Sequence, residues 1–125
     1  MVRILVAEDD ESMRHYLSRA LEKSGYEVVA VSTGREAVPH VNSDRFDLLL
    51  TDIVMPEMDG IELAQHAASV APDMRIMFIT GFAAVTLKAG KAVPQAKVLS
   101  KPFHLRDLVL EIERIFGGES LSGLN

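Results

Sequence analysis

Five side chains in this sequence could do polar chemistry together. They are Asp9 and Asp10 in "AEDD", Asp52 in "LLLTDIVMPEMDG", Thr80 in "FITGF" and Lys101 in "LSKPF". A lone carboxylate after three leucines and a threonine is costly to desolvate, so it needs an outlet to water or a charged partner. Three carboxylates within a few ångströms would repel one another and raise at least one pKa unless a cation joined them. A hard divalent ion answers that need. Mg²⁺ favours carboxylates, waters and a substrate phosphate over an all-protein cage. Lys101 offers a mobile point charge for an oxygen on an incoming phosphoryl group, and Thr80 a hydroxyl for the same group. With Asp52 as nucleophile, the set would form a phosphoryl-receiving pocket.

Each residue also has a plainer role open to it. Asp9 or Asp10 can cap the helix that follows, and capping does not exclude a second role. Asp52 can be a turn residue ahead of Pro56, although the apolar run before it and the acids after the first strand count against that. Thr80 alone can be an ordinary strand end. Lys101 says more, because lysine is rarely placed at the inner end of a buried strand for packing. Met55, Met58, Met74 and Met77 read as core or loop filler. His15, His40, His66 and His104 are scattered without ligand spacing, and none is assigned to a metal.

These residues must be held by elements, and two periodicities alternate along the chain. Apolar runs predict strands over residues 3–7, 27–31, 46–51, 75–80 and 97–100. Helical stripes fall over residues 11–24, 34–41, 60–71, 82–89 and 104–116, the fourth being weak. Pro39 should make the end of the second helix irregular, and Gly90 with Pro94 should leave 90–96 irregular. Strands alternating with helices predict an α/β fold: a doubly wound five-stranded parallel sheet in a three-layer (βα)5 sandwich of the flavodoxin or CheY kind. Runs such as "LLL" and "IMFI" lack polar alternation, as strands covered on both faces should. In such a sheet, ligands bind beyond the carboxyl ends of the strands, where the five polar residues converge.

The 125 residues fit one domain with a core of its own. Hydrophobic residues at 48% and charged residues at 25% are ordinary for a globular protein. The absence of cysteine removes disulfide and thiolate chemistry. The N-terminus reaches acids before a signal core can form, and "IMFITGFAAV" is about half of the ~20 residues a membrane span needs. A cytoplasmic protein is expected. A formal net charge of −5 with no basic run counts against direct nucleic-acid binding. Residues 1–117 are expected to form the domain and 118–125, within "GGESLSGLN", a flexible tail.

From about residue 2 to 117 the sequence resembles the receiver domain of bacterial two-component response regulators. The motifs "AEDD", "LLLTDIVMPEMDG", "FITGF" and "LSKPF" carry the likeness. It implies that Asp52 is phosphorylated in a His–Asp phosphorelay and that Thr80 and Lys101 bind the phosphoryl oxygens. It implies further that Asp9, Asp10, Asp52 and the backbone carbonyl of Val54 hold Mg²⁺, and that the Lys101–Pro102 bond is cis. More narrowly, "TDIVMPEMDGIELA", "IMFITGFAAV" and "KVLSKPFHLRDLV" resemble the CpdR group of stand-alone receivers. The expected partners are a histidine kinase or histidine phosphotransfer protein, and an output partner such as a ClpX-type unfoldase in regulated proteolysis. No nucleic acid or membrane contact is expected.

The pattern departs from the family in two places. Val98 stands three positions before the lysine, where receivers carry a bulky switch residue. Pro94 stands where many relatives have a Gly-rich turn, on the fourth-helix face that usually meets partners. Three other readings compete: a receiver fragment of a larger transcriptional regulator, a phosphate sink, and a Mg²⁺-dependent phosphatase of the haloacid dehalogenase type. The phosphatase needs a second Asp two residues after the nucleophile, and here that position is Val54.

Overall fold

The structure is a computed structural model describing the backbone of residues 1–124 and the side chains of residues 1–117. Five strands and five helices alternate: β1 (Arg3–Ala7), α1 (Glu11–Lys23), β2 (Glu27–Val31), α2 (Gly34–Ser43), β3 (Leu48–Asp52), α3 (Gly60–Val70), β4 (Arg75–Thr80), α4 (Ala83–Ala92), β5 (Lys97–Ser100) and α5 (Leu105–Leu124). The strands form one parallel sheet in the order β2-β1-β3-β4-β5. The order reverses between β1 and β3, so the carboxyl ends of those two strands open the crevice that such a sheet offers a ligand.

Strand side chains alternate between faces, which builds two cores. Ile4, Val6, Leu48, Leu50, Met77 and Ile79 face Leu17 and Leu21 of α1 with Leu108 and Ile112 of α5. Leu5, Ala7, Leu49, Ile76 and Phe78 face α2, α3 and α4 through Ala37, Val41, Leu63, Ala67, Ala89 and Val93. All five residues of β3 are buried, as a central strand covered on both sides requires.

Three sequence expectations need correction. β3 starts at Leu48 rather than residue 46 and runs through Asp52. Phe46 is buried ahead of the strand, and Asp47 meets Arg3 through a mixed pair, its carboxylate accepting the Arg3 N–H at 2.8 Å while its own N–H donates to the Arg3 carbonyl at 2.8 Å. α2 continues past Pro39 to Ser43. Buried Val41 anchors that last turn, and the Ser43 hydroxyl donates back to the Pro39 carbonyl at 2.6 Å. α4 extends through Gly90 to Ala92, because Ala89 and Val93 are both buried and hold the turn between them. Tertiary burial outweighs a glycine's cost of about 1 kcal/mol in a helix. The backbone of α5 also runs past residue 116, while the side chains of the expected 118–125 tail lie outside the described residues. No described helix is long and apolar enough to cross a membrane.

Candidate functional site

The crevice is built from strand ends. Asp52 is the last residue of β3 and is only 7% exposed. The chain then turns sharply: Gly60 N–H donates to the Ile53 carbonyl at 2.8 Å, and Ile53 N–H to the Ile79 carbonyl at 3.2 Å. Gly60 is required here. A Cβ on it would lie 2.0 Å from the Asp52 carbonyl oxygen, well inside contact distance. Glu57 takes a left-handed φ of 69° in this loop. Asp59 and Glu62 close a capping box that starts α3.

Carboxylate oxygens of Glu8, Asp9 and Asp52 lie within 4.8 Å of one another. Lys101 reaches in from beyond β5, its Nζ 3.1 Å from Asp52 Oδ2 and 3.3 Å from Glu8 Oε1. The Lys101–Pro102 bond is cis, and Lys101 N–H donates to the Thr80 carbonyl at 2.7 Å. Thr80 is buried at the end of β4, where its Oγ1 accepts the Phe82 N–H at 3.0 Å. The site thus couples to the start of α4, whose N-cap Phe82 provides no side-chain cap.

The structure brings Asp9, Asp52, Thr80 and Lys101 to one end of the sheet; Asp10 lies there too, its N–H on the Glu8 carboxylate, but its own carboxylate is not part of the cluster. The Asp10 carboxylate accepts the Met13 N–H at 2.9 Å as the N-cap of α1, turned toward the helix. Expecting Asp10 in the metal cluster is therefore a correction: Glu8 takes the place beside Asp9. Sequence reasoning missed Glu8, although a signal was available. Asp10 begins a helical stripe with the spacing of a cap, so the two preceding acids are the ones left for the crevice. Glu8 also prolongs β1 by one pairing, its N–H donating to the Val31 carbonyl at 3.1 Å. Val54 lies two residues beyond Asp52 on the loop, with 46% of its surface exposed.

Glu8 is fully buried. Burial pushes its carboxyl up to about 7; the Asp10 N–H opposes this, while the Asp52 charge adds to it. For Lys101 burial acts downward, but the hydrogen bond and charge of Asp52, then those of Glu8, outweigh it and hold the ammonium above its ordinary value. One lysine faces three carboxylates, leaving the pocket short of positive charge. An all-oxygen donor set with excess negative charge at a crevice suits a hard divalent cation.

The response regulator receiver domain profile matches residues 4–113. The chain belongs to the response regulator receiver family. This receiver is 60% identical over 116 residues to the response regulator receiver protein CpdR of Brucella abortus (strain 2308), covering 92% of this chain and 97% of that protein. It is 36% identical to the response regulator MprA of Mycolicibacterium vanbaalenii, of which it spans 50%. Among solved structures, a CheY-like receiver domain protein from Methanospirillum hungatei JF-1 superposes with a TM-score of 0.88 at 30% identity, covering 98% of both chains. The regulator TrrA of Thermotoga maritima, solved in complex with Mg²⁺-BeF, gives 0.79 at 29% identity over 91% of this receiver and 98% of that chain. The expected three-layer receiver fold is the one observed.

Proposed function

We propose that this receiver is a phosphoacceptor switch in which Asp52 takes a phosphoryl group from a phosphohistidine donor, either a histidine kinase or a histidine phosphotransfer protein. The observation that carries this reading is the Lys101 ammonium, 3.1 Å from Asp52 and 3.3 Å from Glu8, beside three clustered carboxylates. An Asp52 carboxylate oxygen attacks phosphorus, the P–N bond breaks, and its electron pair returns to the donor imidazole. Lys101 and the Thr80 hydroxyl then bind the phosphoryl oxygens. The protein is the acceptor in this transfer, and attack of water on the aspartyl phosphate later releases inorganic phosphate and restores the Asp52 carboxylate, so it does not act as a turnover enzyme.

Glu8, Asp9 and Asp52 would hold Mg²⁺, joined by the Val54 carbonyl as the family resemblance implies. Mg²⁺ supplies charge neutralisation of the transferring phosphoryl group. The TrrA complex with Mg²⁺-BeF, on a similar fold, supports this reading. The haloacid dehalogenase alternative gains nothing, since Val54 offers no proton to a leaving group.

Phosphorylation would draw the Thr80 hydroxyl toward Asp52 and loosen its bond to the Phe82 N–H, altering the start of α4. Phe82 at 59% and Leu87 at 73% exposure, with Lys88 and Lys91, make that helix a partner surface. Partly buried Val98 is smaller than the usual switch residue, so the coupling runs through this main-chain bond. The resemblance to the CpdR group implies an output in regulated proteolysis, with a ClpX-type unfoldase as partner and cytoplasmic residence, and the 60% identity to a receiver protein of that name agrees with it. Uptake of label from a ³²P phosphodonor tests the acceptor: Asp52→Ala should take up none, and stoichiometric labelling of that variant refutes the assignment. Binding of the purified unfoldase with and without phosphodonor tests the partner, and state-independent or absent binding refutes it.

A further inference from the structure

Arg14 is the fourth residue of α1, one turn into a helix anchored by Leu17 and Leu21. Its Nη1 reaches back across the turn after β1 and donates to the main-chain oxygen of Glu8 at 3.0 Å. Glu8 is fully buried, so that carbonyl relies on a protein donor. The rest of the turn is tied as well. Glu8 N–H donates to Val31, Asp10 N–H to Glu8 Oε2 at 3.1 Å, and Met13 N–H to the Asp10 carboxylate. The Arg14 contact is charge-assisted, as is the Asp10 cap on Met13 N–H, and such bonds are about twice as strong as neutral ones.

Packing does not account for this arginine. Open clefts of about 400 Å³ and 460 Å³ lie on either side of it, one bordered by Ser18 and Ala30, the other by Ser32 and Glu36. Electrostatics accounts for little of it: the carboxylate on which its charge acts is Glu36, which is exposed and held down chiefly by Ser32. A positive charge 3.0 Å from the Glu8 main-chain oxygen would, if anything, lower the pocket's attraction for a divalent ion. What remains is geometry.

We propose that Arg14 is a positioning residue for the acidic pocket, locking the Glu8 main chain so that the Glu8 and Asp9 carboxylates stay at the spacing Mg²⁺ requires. This rests on reading the Glu8, Asp9 and Asp52 group as a Mg²⁺ site. Groups that orient metal ligands from behind typically contribute about 10–100-fold in metal affinity. Mg²⁺ demands near-octahedral geometry, whereas Ca²⁺ tolerates a loose, irregular shell. A slackened turn should therefore weaken Mg²⁺ more than Ca²⁺.

The test is calorimetric titration of unphosphorylated wild type, Arg14→Met and Arg14→Lys with Mg²⁺ and separately with Ca²⁺, beside thermal unfolding in EDTA. Arg14→Met should lose about tenfold in Mg²⁺ affinity and clearly less in Ca²⁺ affinity, with Arg14→Lys recovering part of the loss. Unchanged or tighter Mg²⁺ binding by Arg14→Met, as removal of a nearby positive charge alone would give, overturns the proposal. So does a parallel loss of both ions, the mark of a merely weakened fold. Should Arg14→Met unfold in EDTA, Arg14→Gln decides by the same comparison of the two ions. A wild-type protein that binds no Mg²⁺ overturns the underlying reading and the proposal with it.

Discussion

Glu8→Gln should remove most of the pH dependence of stability that this receiver shows in EDTA between about pH 5 and 7.5. The Glu8 carboxyl stands at about 7 in the folded protein against an ordinary 4.5, chiefly through burial. Its folded pKa is raised, so between those values the native state keeps a proton that the unfolded chain releases. Stability must then fall as pH rises through this window and level off above about 7. At ~1.36 kcal/mol per unit the full effect is about 3 kcal/mol, or roughly 10 °C in the transition of a domain this size. Glutamine matches the protonated acid in shape and cannot ionise, so its stability should stay nearly level across the window. Mg²⁺ should reverse the wild-type loss at pH 8, where the carboxylate is free to bind, adding roughly 2.7 kcal/mol at a hundred times its dissociation constant. The assay is chemical denaturation of both proteins at half-unit pH steps, with EDTA and with Mg²⁺. Parallel pH profiles for wild type and Glu8→Gln in EDTA, or a wild type that gains stability from pH 5.5 to 8, would refute the reasoning.

Asp10→Ala and Asp9→Ala should separate capping from ligation. Loss of the Met13 N–H cap should cost about 1 kcal/mol of stability with Mg²⁺ affinity nearly kept, whereas Asp9→Ala should spare the fold and lose Mg²⁺; denaturation and calorimetry on both variants would tell. Gly60→Ala drives a Cβ to within 2.0 Å of the Asp52 carbonyl, so it should displace the loop, lower stability and slow phosphoryl uptake more than Gly90→Ala, which meets nothing within 4 Å. Lys101→Met leaves Glu8 and Asp52 without their ammonium. It should therefore destabilise the protein more at pH 8 than at pH 5.5, seen as a steeper pH profile in EDTA. Phe82→Pro deletes the N–H that Thr80 accepts; phosphate uptake should persist while the α4 amide shifts that follow phosphorylation shrink, and unaltered shifts would remove the Phe82 link from the switch.

Much of this architecture was legible because period is a local property. The runs at 3–7, 27–31, 75–80 and 97–100 coincide with β1, β2, β4 and β5, since short apolar runs between polar punctuation read as strands both at the centre of the sheet, as in β1 and β4, and at its edges, as in β2 and β5. The boundaries that slipped were those set by contacts distant in sequence. Phe46 is as apolar as any strand residue, yet Asp47 beside it is claimed by the Arg3 main chain, and the ladder begins at Leu48. Gly90 and Pro39 are local breakers, yet buried Val93 and Val41 carry their helices onward.

The sequence by itself determined the receiver fold, the acidic character of its crevice, and the strand-end positions of Asp52, Thr80 and Lys101, because apolar runs ending in polar residues admit few other topologies. Which two of Glu8, Asp9 and Asp10 face the crevice was decided only in three dimensions. Apart from the cap spacing of Asp10, adjacent acids share one composition and one local pattern. Their directions depend on where β1 stops pairing with β2 and where α1 begins, and the Asp10 carboxylate is the one turned to cap α1.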